Sequence, residues 1–505
     1  MTERPDVAVD LERDVAAQTA TAYHGISILP RAMGRNAIGR NAAERTNALA
    51  ALDARFDATL AELCALARIA GVSASGFDPR ELERSAEGVA ALMRAACLER
   101  VEVLRIPGAH PYVVGEWLHA GAQAPTVLIY AHHDVQPPGR PEKWATPAFE
   151  PTLRADGRLY GRGIVDDKAG LMVHLAALRA CFDAHGTPPV NVKLLVEGEE
   201  EIGSPHLEAF LRAHRERLSA DVIVLSDTAN LDTGLPSVTT SLRGLVVADV
   251  RVRALDHPLH SGMWGGPIPD AASALVRLLA RLVDDRGVIL IPGIYDDVRP
   301  LASDERARLA KLPFDERAFR EQAGLVTSGE LAGESGFSPY ERLWLRPSLA
   351  FTALEGVPLA GSANRLMEEA QARVGLRLAP SQDAARAARL LTEALRRDPP
   401  NGVAVEVALE SAAGGWETAP DGPAFDAARR ALEAGFGRAP AFIGCGGSIP
   451  FVGPFAQVLG GVPALLLGLE DPICNAHGEN ESLHVADFRN ATRSALHLYF
   501  ELGAG

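Results

Sequence analysis

The feature that most constrains this chain is a recurring pairing: short apolar runs that each deliver a histidine or carboxylate at or just beyond their ends. Thr126–Tyr130 leads into Ala131, His132, His133 and Asp134. Val192–Val196 leads into Glu197, Glu199, Glu200 and Glu201, and Asp221–Leu225 leads into Asp227. Helical periodicity separates the runs, as at Leu171–Cys181. Short buried strands alternating with helices predict an α/β layer with a largely parallel sheet. In such sheets, functional residues gather at the carboxyl ends of the strands.

Beyond about Pro236 the pattern changes. Leu245–Val252 and Ala372–Leu378 alternate apolar and polar residues, as expected of strands with one wet face. Helical stretches follow at Asp270–Val283 and at Ser381–Arg397, with Ser381 read as an N-cap. Val403–Leu409 is a third strand candidate, and a β, α, β, α, β order fits a small α+β unit with a one-sided sheet. The first pattern resumes at Asp426–Phe436, Ala464–Leu467 and Asp487–Leu502. The expected organisation is an N-terminal extension over residues 1–50, a discontinuous α/β domain over 51–238 and 413–505, and an inserted α+β domain over 239–412.

Composition removes several function classes. A formal net charge of -15 without any dense basic run argues against nucleic-acid binding. Five scattered cysteines, never in C-x-x-C spacing, suit reduced thiols and a cytoplasmic setting. The opening residues lack the apolar core of a signal peptide, and no stretch has the roughly 18 apolar residues a membrane helix needs.

The chemistry lies in five blocks. His132 and Asp134 stand two apart on an extended segment, so the carboxylate can reach the ring and set its tautomer. In LYGRGIVDDKAG, Gly161, Gly163 and Gly170 bracket the adjacent acids Asp166 and Asp167, and a carboxylate presented there can bridge two metal ions. Four acids within 197–201 repel one another unless cations or protons compensate. Asp227 closes a buried strand and His477 lies in a polar loop. Each block alone has an ordinary structural use as cap, turn or solvated face. Their coincidence in one layer points to a metal site, and histidines and carboxylates without cysteine suit zinc, manganese or cobalt.

These blocks resemble the metallopeptidase family that includes carnosinases, carboxypeptidase G, acetylornithine deacetylase and succinyl-diaminopimelate desuccinylase. The match is closest to the carnosinase-like dipeptidases, through DVQPP, GRG with DDK, SLRG at Ser241–Gly244, HSG at His260–Gly262 and GGSIP at Gly446–Pro450. The resemblance implies two divalent ions held by His132, Asp166, Glu201, Asp227 and His477, with Asp166 bridging and followed by a cis peptide bond. It makes Asp134 the support of His132 and Glu200 the general base. The inserted domain is implied to be a ferredoxin-like lid that forms a homodimer, with His260 reaching the partner's site to polarise the scissile carbonyl. Arg377, Gly447 and Ser448 are implied substrate contacts, Arg377 meeting a carboxylate. Where relatives read Thr-x-Ile-Pro, this chain has Asn364, Arg365, Leu366 and Met367.

The expected reaction is hydrolysis of an amide bond in a small peptide, with Glu200 taking a proton from a water between the two ions and passing it to the leaving amine. An N-acyl amino-acid deacylase shares every metal motif and is the alternative. A non-catalytic metal-binding or assembly protein is a second alternative, although it would leave Glu200 without a task.

Overall fold

The computed structural model describes residues 35–356, 358–360, 362–447 and 452–504. Four strands, Asn191–Glu197, Thr126–His132, Val222–Ala229 and Ala464–Glu470, lie side by side in that order and run parallel. Alternate residues of these strands enter two cores. Val127, Ile129, Val192, Leu194, Val224 and Leu465 face one; Leu128, Tyr130, Leu195, Ile223, Leu225 and Leu466 face the other. Burial on both faces is what parallel strands covered by helices require, and it explains why these segments read as continuous apolar runs.

Helices Arg35–Ala67, Lys168–His185, Pro423–Phe436 and Val485–Gly503 cover the first face, and Leu207–Ala213 with Val452–Val458 cover the second. Among the described residues five further strands complete a nine-stranded mixed sheet: Glu99–Leu104 and Tyr112–Trp117 on one side and Ser237–Leu242 on the other, each paired antiparallel, with Trp416–Glu417 antiparallel and Ala441–Cys445 parallel to Ser237–Leu242. The helix Arg35–Ala67 runs without a break across residue 50, and Ala48 and Leu52 are buried. Residues 44–50 are thus part of the helical layer rather than of an extension, bonded to it through the Glu44 carbonyl and Arg45; residues 1–34 of the expected extension lie outside the described residues.

A second sheet has the order Ser348–Glu355, Glu369–Leu378, Gly244–Arg253, Ala404–Ala413, antiparallel throughout. Helices Ala271–Leu279 and Ala384–Arg396 pack on one face of it, over Val246, Ala248, Val250, Val374 and Leu376. This is the β-α-β-β-α-β plan of a ferredoxin-like unit. Ser348–Glu355 was not legible in the sequence because it is an edge strand, half-exposed or exposed throughout, with no buried face to impose an alternation. The helices Ser303–Leu309, Glu316–Gln322 and Pro339–Leu345, inserted before that strand, were also not anticipated.

The N-caps of the two packing helices are Asp270 and Asp383, which accept from the Ser273 and Arg386 amides. Ser381, expected as a cap, instead accepts from the Arg299 amide at 3.0 Å and donates to the Asp297 carbonyl at 3.1 Å. A single residue, Arg243, separates Ser237–Leu242 in the large sheet from Gly244–Arg253 in the small one, so the expected boundary at 238 falls inside a strand of the large sheet. The return passes through Gly414 and Gly415, and a Cβ on Gly415 would come within 2.7 Å of both the Leu242 oxygen and the Pro380 Cα. Among the described residues no helix is long and apolar enough to cross a membrane.

Candidate metal centre

The parallel arrangement brings the carboxyl ends of four strands to one edge of the large sheet. His132 ends one strand, Glu200 and Glu201 lie in the turn after the next, Asp227 is near the end of a third and Glu470 ends the fourth. Asp166 and His477 arrive on loops. Asp166 is used on both sides: its Oδ1 is 2.9 Å from His132 Nε2, and its Oδ2 is 2.9 Å from His477 Nε2. Asp227 Oδ2 is 3.8 Å from the His132 ring and Glu201 Oε2 is 3.2 Å from the His477 ring. One carboxylate therefore faces two separate donor groups, which is the geometry of a bridging ligand. Glu200 Oε2 stands 4.0 Å from His132 Nε2.

Buried groups behind these residues hold them in place. Asp134 is fully buried; its two oxygens accept the amides of Glu200 and Glu201 at 3.2 and 3.0 Å, and its Oδ1 is 3.4 Å from His132 Nδ1. It thus ties the first histidine to the acidic turn. Glu481, also fully buried, accepts from Arg162 at 2.7 Å, from the Gly163 amide at 2.9 Å and from the Val165 amide at 3.1 Å. Arg162 in turn donates to the carbonyls of His477 and Gly478 at 3.1 and 3.0 Å. The loops of Asp166 and His477 are joined through this pair.

The glycines around Asp166 have distinct tasks. Gly163 has φ +71, and a Cβ there would lie 2.3 Å from Val135. At Gly170 the backbone is ordinary but a Cβ would meet Asp167 Oδ1 at 1.9 Å and the Ser226 oxygen at 2.5 Å. The Asp166–Asp167 peptide bond is cis, and His477 itself has φ 62, the left-handed region that non-glycine residues seldom occupy.

Electrostatically the site holds more acids than bases. Burial, reinforced by the nearby acids Asp166 and Glu201, pushes the Glu200 carboxyl up to about 8. Burial and Asp166 push Glu470 up to about 8, and burial with Asp167 and Asp166 pushes Asp227 well above the carboxylate range. Asp166 is the exception: burial opposes its charge, but the bonds from His132 and His477 outweigh it and hold the group well below its usual value. His477 is pushed up to about 11 by its bonds to Asp166 and Glu201. Asp167 Oδ1 and Lys168 Nζ are buried without a hydrogen-bond partner. Three sets of oxygen and nitrogen donors, His132–Asp167–Asp227, Asp166–Glu201–His477 and Asp166–Asp227–Glu470, each lie within 4.8 Å of one another. Acids in excess of the bases beside them, with imidazoles aimed among them, fit divalent ions.

The structure also sorts the acidic run. Glu197 accepts from the Tyr130 hydroxyl at 2.6 Å, and Glu199 accepts from the Tyr112 hydroxyl at 2.8 Å and the His206 amide at 3.0 Å. Both turn into the interior, leaving Glu200 and Glu201 at the site. Glu470, Asp167 and Glu481 were not singled out from sequence; for Glu470 the available signal was an acid closing the apolar run Ala464–Leu469.

His260 is not brought to the metal residues of its own chain by any described contact. It is exposed in the inserted domain, where its Nδ1 accepts from the Gly262 amide at 3.1 Å. The departing segment braces it: Arg365 pairs with His260 and Leu366 with Leu259. Arg377 is half-buried on the opposite face from Val374, Leu376 and Leu378, beside the guanidinium of Arg243. Gly447 accepts from the Arg243 amide at 3.2 Å and its own amide donates to Cys445 Sγ at 3.3 Å. Ser448 lies outside the described residues.

A model of the peptidase family M20/M25/M40 matches residues 128–501. The cysteinylglycine-S-conjugate dipeptidase of Corynebacterium striatum is 34% identical over 362 residues, covering 71% of this chain and 77% of its own. The Beta-Ala-His dipeptidase of Homo sapiens is 30% identical over 386 residues, covering 75% of each. Among solved structures, the dipeptidase Dug1p from Saccharomyces cerevisiae superposes with a TM-score of 0.78 at 25% identity, covering 91% of this chain and 98% of that one. Human carnosine dipeptidase 1 gives 0.77 at 26%, covering 94% and 100%. The matched span takes in every residue of the candidate centre from His132 to His477, and on these likenesses the chain belongs to peptidase family M20/M25/M40, as a metallopeptidase of the dipeptidase-like type.

Proposed function

We propose that this protein hydrolyses the amide bond of dipeptides and short peptides, using two divalent ions held by His132, Asp166, Glu201, Asp227 and His477. Zinc suits the nitrogen and oxygen donor set best, with manganese and cobalt next. The observation that supports this most is the two-sided exposure of Asp166 to His132 and His477, each at 2.9 Å. Bound ions would polarise the scissile carbonyl and lower the pKa of a water at neutral pH.

The protein's own residues supply the rest. Glu200, only 19% exposed and held through its amide by Asp134, is placed to take the proton of the attacking water and return it to the leaving amine. Asp134 keeps the His132 ring oriented. Arg377, beside Arg243 near the end of the strand Glu369–Leu378, is assigned the substrate carboxylate. His260, exposed and without a described contact to its own chain's donors, is assigned the site of a second copy, which makes the working unit a homodimer through the inserted domain. A cytoplasmic setting fits the composition.

The test is a Glu200→Ala variant assayed on a panel of dipeptides, tripeptides, N-acetyl and N-succinyl amino acids. Its metal content should equal that of the wild type while kcat falls by roughly 10²–10⁴. Normal turnover, or wild-type preference for the acylated amino acids, would sink the proposal.

A further inference from the structure

We propose that Glu470 anchors the free α-ammonium group of the peptide substrate and so selects for an unblocked N-terminus; this rests on the dipeptidase reading above. Glu470 closes the strand Ala464–Glu470, parallel to Val222–Ala229, which carries Asp227. The strand end is firmly set. Its carbonyl accepts from the Asn230 amide at 2.6 Å, and pairing slips on both sides of Gly468, where a Cβ would lie 2.2 Å from Asn230 Oδ1. A β-irregularity of this kind re-aims the side chains that follow it.

The carboxylate is thereby presented to the metal residues: one of its oxygens lies within 4.8 Å of an oxygen of Asp166 and one of Asp227. Glu197, Glu199 and Glu481 are also buried near the site, but each has tyrosine, histidine or arginine partners. Among the described residues no hydrogen bond or ion pair is made by the Glu470 side chain.

Charge balance indicates what this carboxylate is for. Asp166, Glu201, Asp227 and an ionised Glu200 supply four negative charges, which two divalent ions neutralise. An ionised Glu470 in this half-buried place needs a cation of its own, because a charge removed from water persists only if paired. A substrate with a free amino terminus brings the matching cation. In a peptide the α-nitrogen is about 2.5 Å from the carbonyl carbon, and an ammonium–carboxylate bond spans about 2.8 Å. An anion about 5 Å from the scissile carbon therefore meets it, and Glu470 neighbours Asp166 and Asp227, two residues assigned to the ions that would polarise that carbonyl. A blocked amine offers no charge and leaves the carboxylate buried and unpaired, which a polar site rejects strongly.

The experiment compares wild type, Glu470→Gln and Glu470→Asp as metal-loaded enzymes on Ala-Ala, N-acetyl-Ala-Ala and N-acetyl-Ala, with bound metal counted and apoprotein titrated with zinc. We expect all three proteins to bind two ions, since the five assigned ligands are untouched. KM for Ala-Ala should rise about tenfold to a hundredfold in Glu470→Gln, with kcat less affected and Glu470→Asp intermediate. The wild-type preference for Ala-Ala over N-acetyl-Ala-Ala should shrink by the same factor in Glu470→Gln.

An unchanged KM for Ala-Ala in Glu470→Gln overturns the assignment. So does loss of one ion, which would make Glu470 a ligand. Equal wild-type turnover of Ala-Ala and N-acetyl-Ala-Ala overturns the anchor while sparing the dipeptidase reading. Turnover of N-acetyl-Ala alone overturns both.

Discussion

Replacing Glu481 with Gln should weaken metal binding although Glu481 is not among the assigned ligands. The carboxylate is fully buried, 2.7 Å from the guanidinium of Arg162, itself 1% exposed, and it accepts the amides of Gly163 and Val165. Removing one charge of a buried pair costs roughly 3–5 kcal/mol, because the other charge stays desolvated. Glutamine keeps the shape and retains neutral hydrogen bonds worth about 1 kcal/mol each, so a loss of about 3 kcal/mol in stability is expected. Arg162 also holds the carbonyls of His477 and Gly478, so the loops of two assigned ligands relax together. Metal affinity should fall roughly 10–100-fold, as when supporting partners of ligands are removed.

Calorimetric titration of zinc into apoprotein, alongside urea unfolding, measures both quantities. A second variant separates them. Arg162→Met combined with Glu481→Gln leaves no unpaired guanidinium buried, so stability should recover by about 1–2 kcal/mol over the single variant. Affinity should not recover, because the bonds to His477 and Gly478 are gone. A folded Glu481→Gln protein with affinity within about threefold of wild type, or affinity that rises with stability in the double variant, refutes the coupling of the two loops through this pair.

Zinc binding to apoprotein at pH 7 should release at least one proton per chain. His477 carries a proton there, pushed up to about 11 by Asp166 and Glu201, and a coordinating imidazole must shed it; calorimetry in buffers of different ionisation enthalpy counts the protons, and affinity should rise with pH. His174, buried between the Tyr499 hydroxyl and Ser226, is pushed down to about 3 by burial, so the folded protein keeps it neutral while the unfolded chain binds a proton below about 6.5. Stability should therefore drop by about 2 kcal/mol between pH 7 and pH 5 from this residue alone, and urea unfolding of His174→Gln should show that much less acid sensitivity. Gly170→Ala should cost several-fold in metal affinity and lower the melting temperature, since the new Cβ would lie 1.9 Å from Asp167 Oδ1; unchanged melting and metal content would show that the helix start can shift at little cost.

The sequence by itself determined the α/β layer, three of the four strands of the small antiparallel sheet, and the strand-end histidine and acids of the candidate metal centre; the choice of Asp166 and His477 came from family likeness. These are local facts: a parallel strand buried on both faces must be apolar throughout, and an acid or histidine at its end is visible in the same short window. His132, Asp227 and the acidic turn at Glu200 and Glu201 were legible for that reason, while the roles within the turn came from family likeness.

Only the tertiary structure decided which acids share a point in space. Glu197 and Glu199 look like Glu200 and Glu201 in sequence, yet tyrosines from neighbouring strands draw the first two inward. Asp166 meets both His132 and His477, and Glu481 meets Arg162, because loops far apart in the chain close over the same strand ends. Glu470 reads as one acid after an apolar run; its place beside Asp166 and Asp227 depends on strand order across the sheet. Strand-end chemistry follows from periodicity along the chain, whereas the distance between two carboxylates follows from pairing and packing, which no window of neighbouring residues contains.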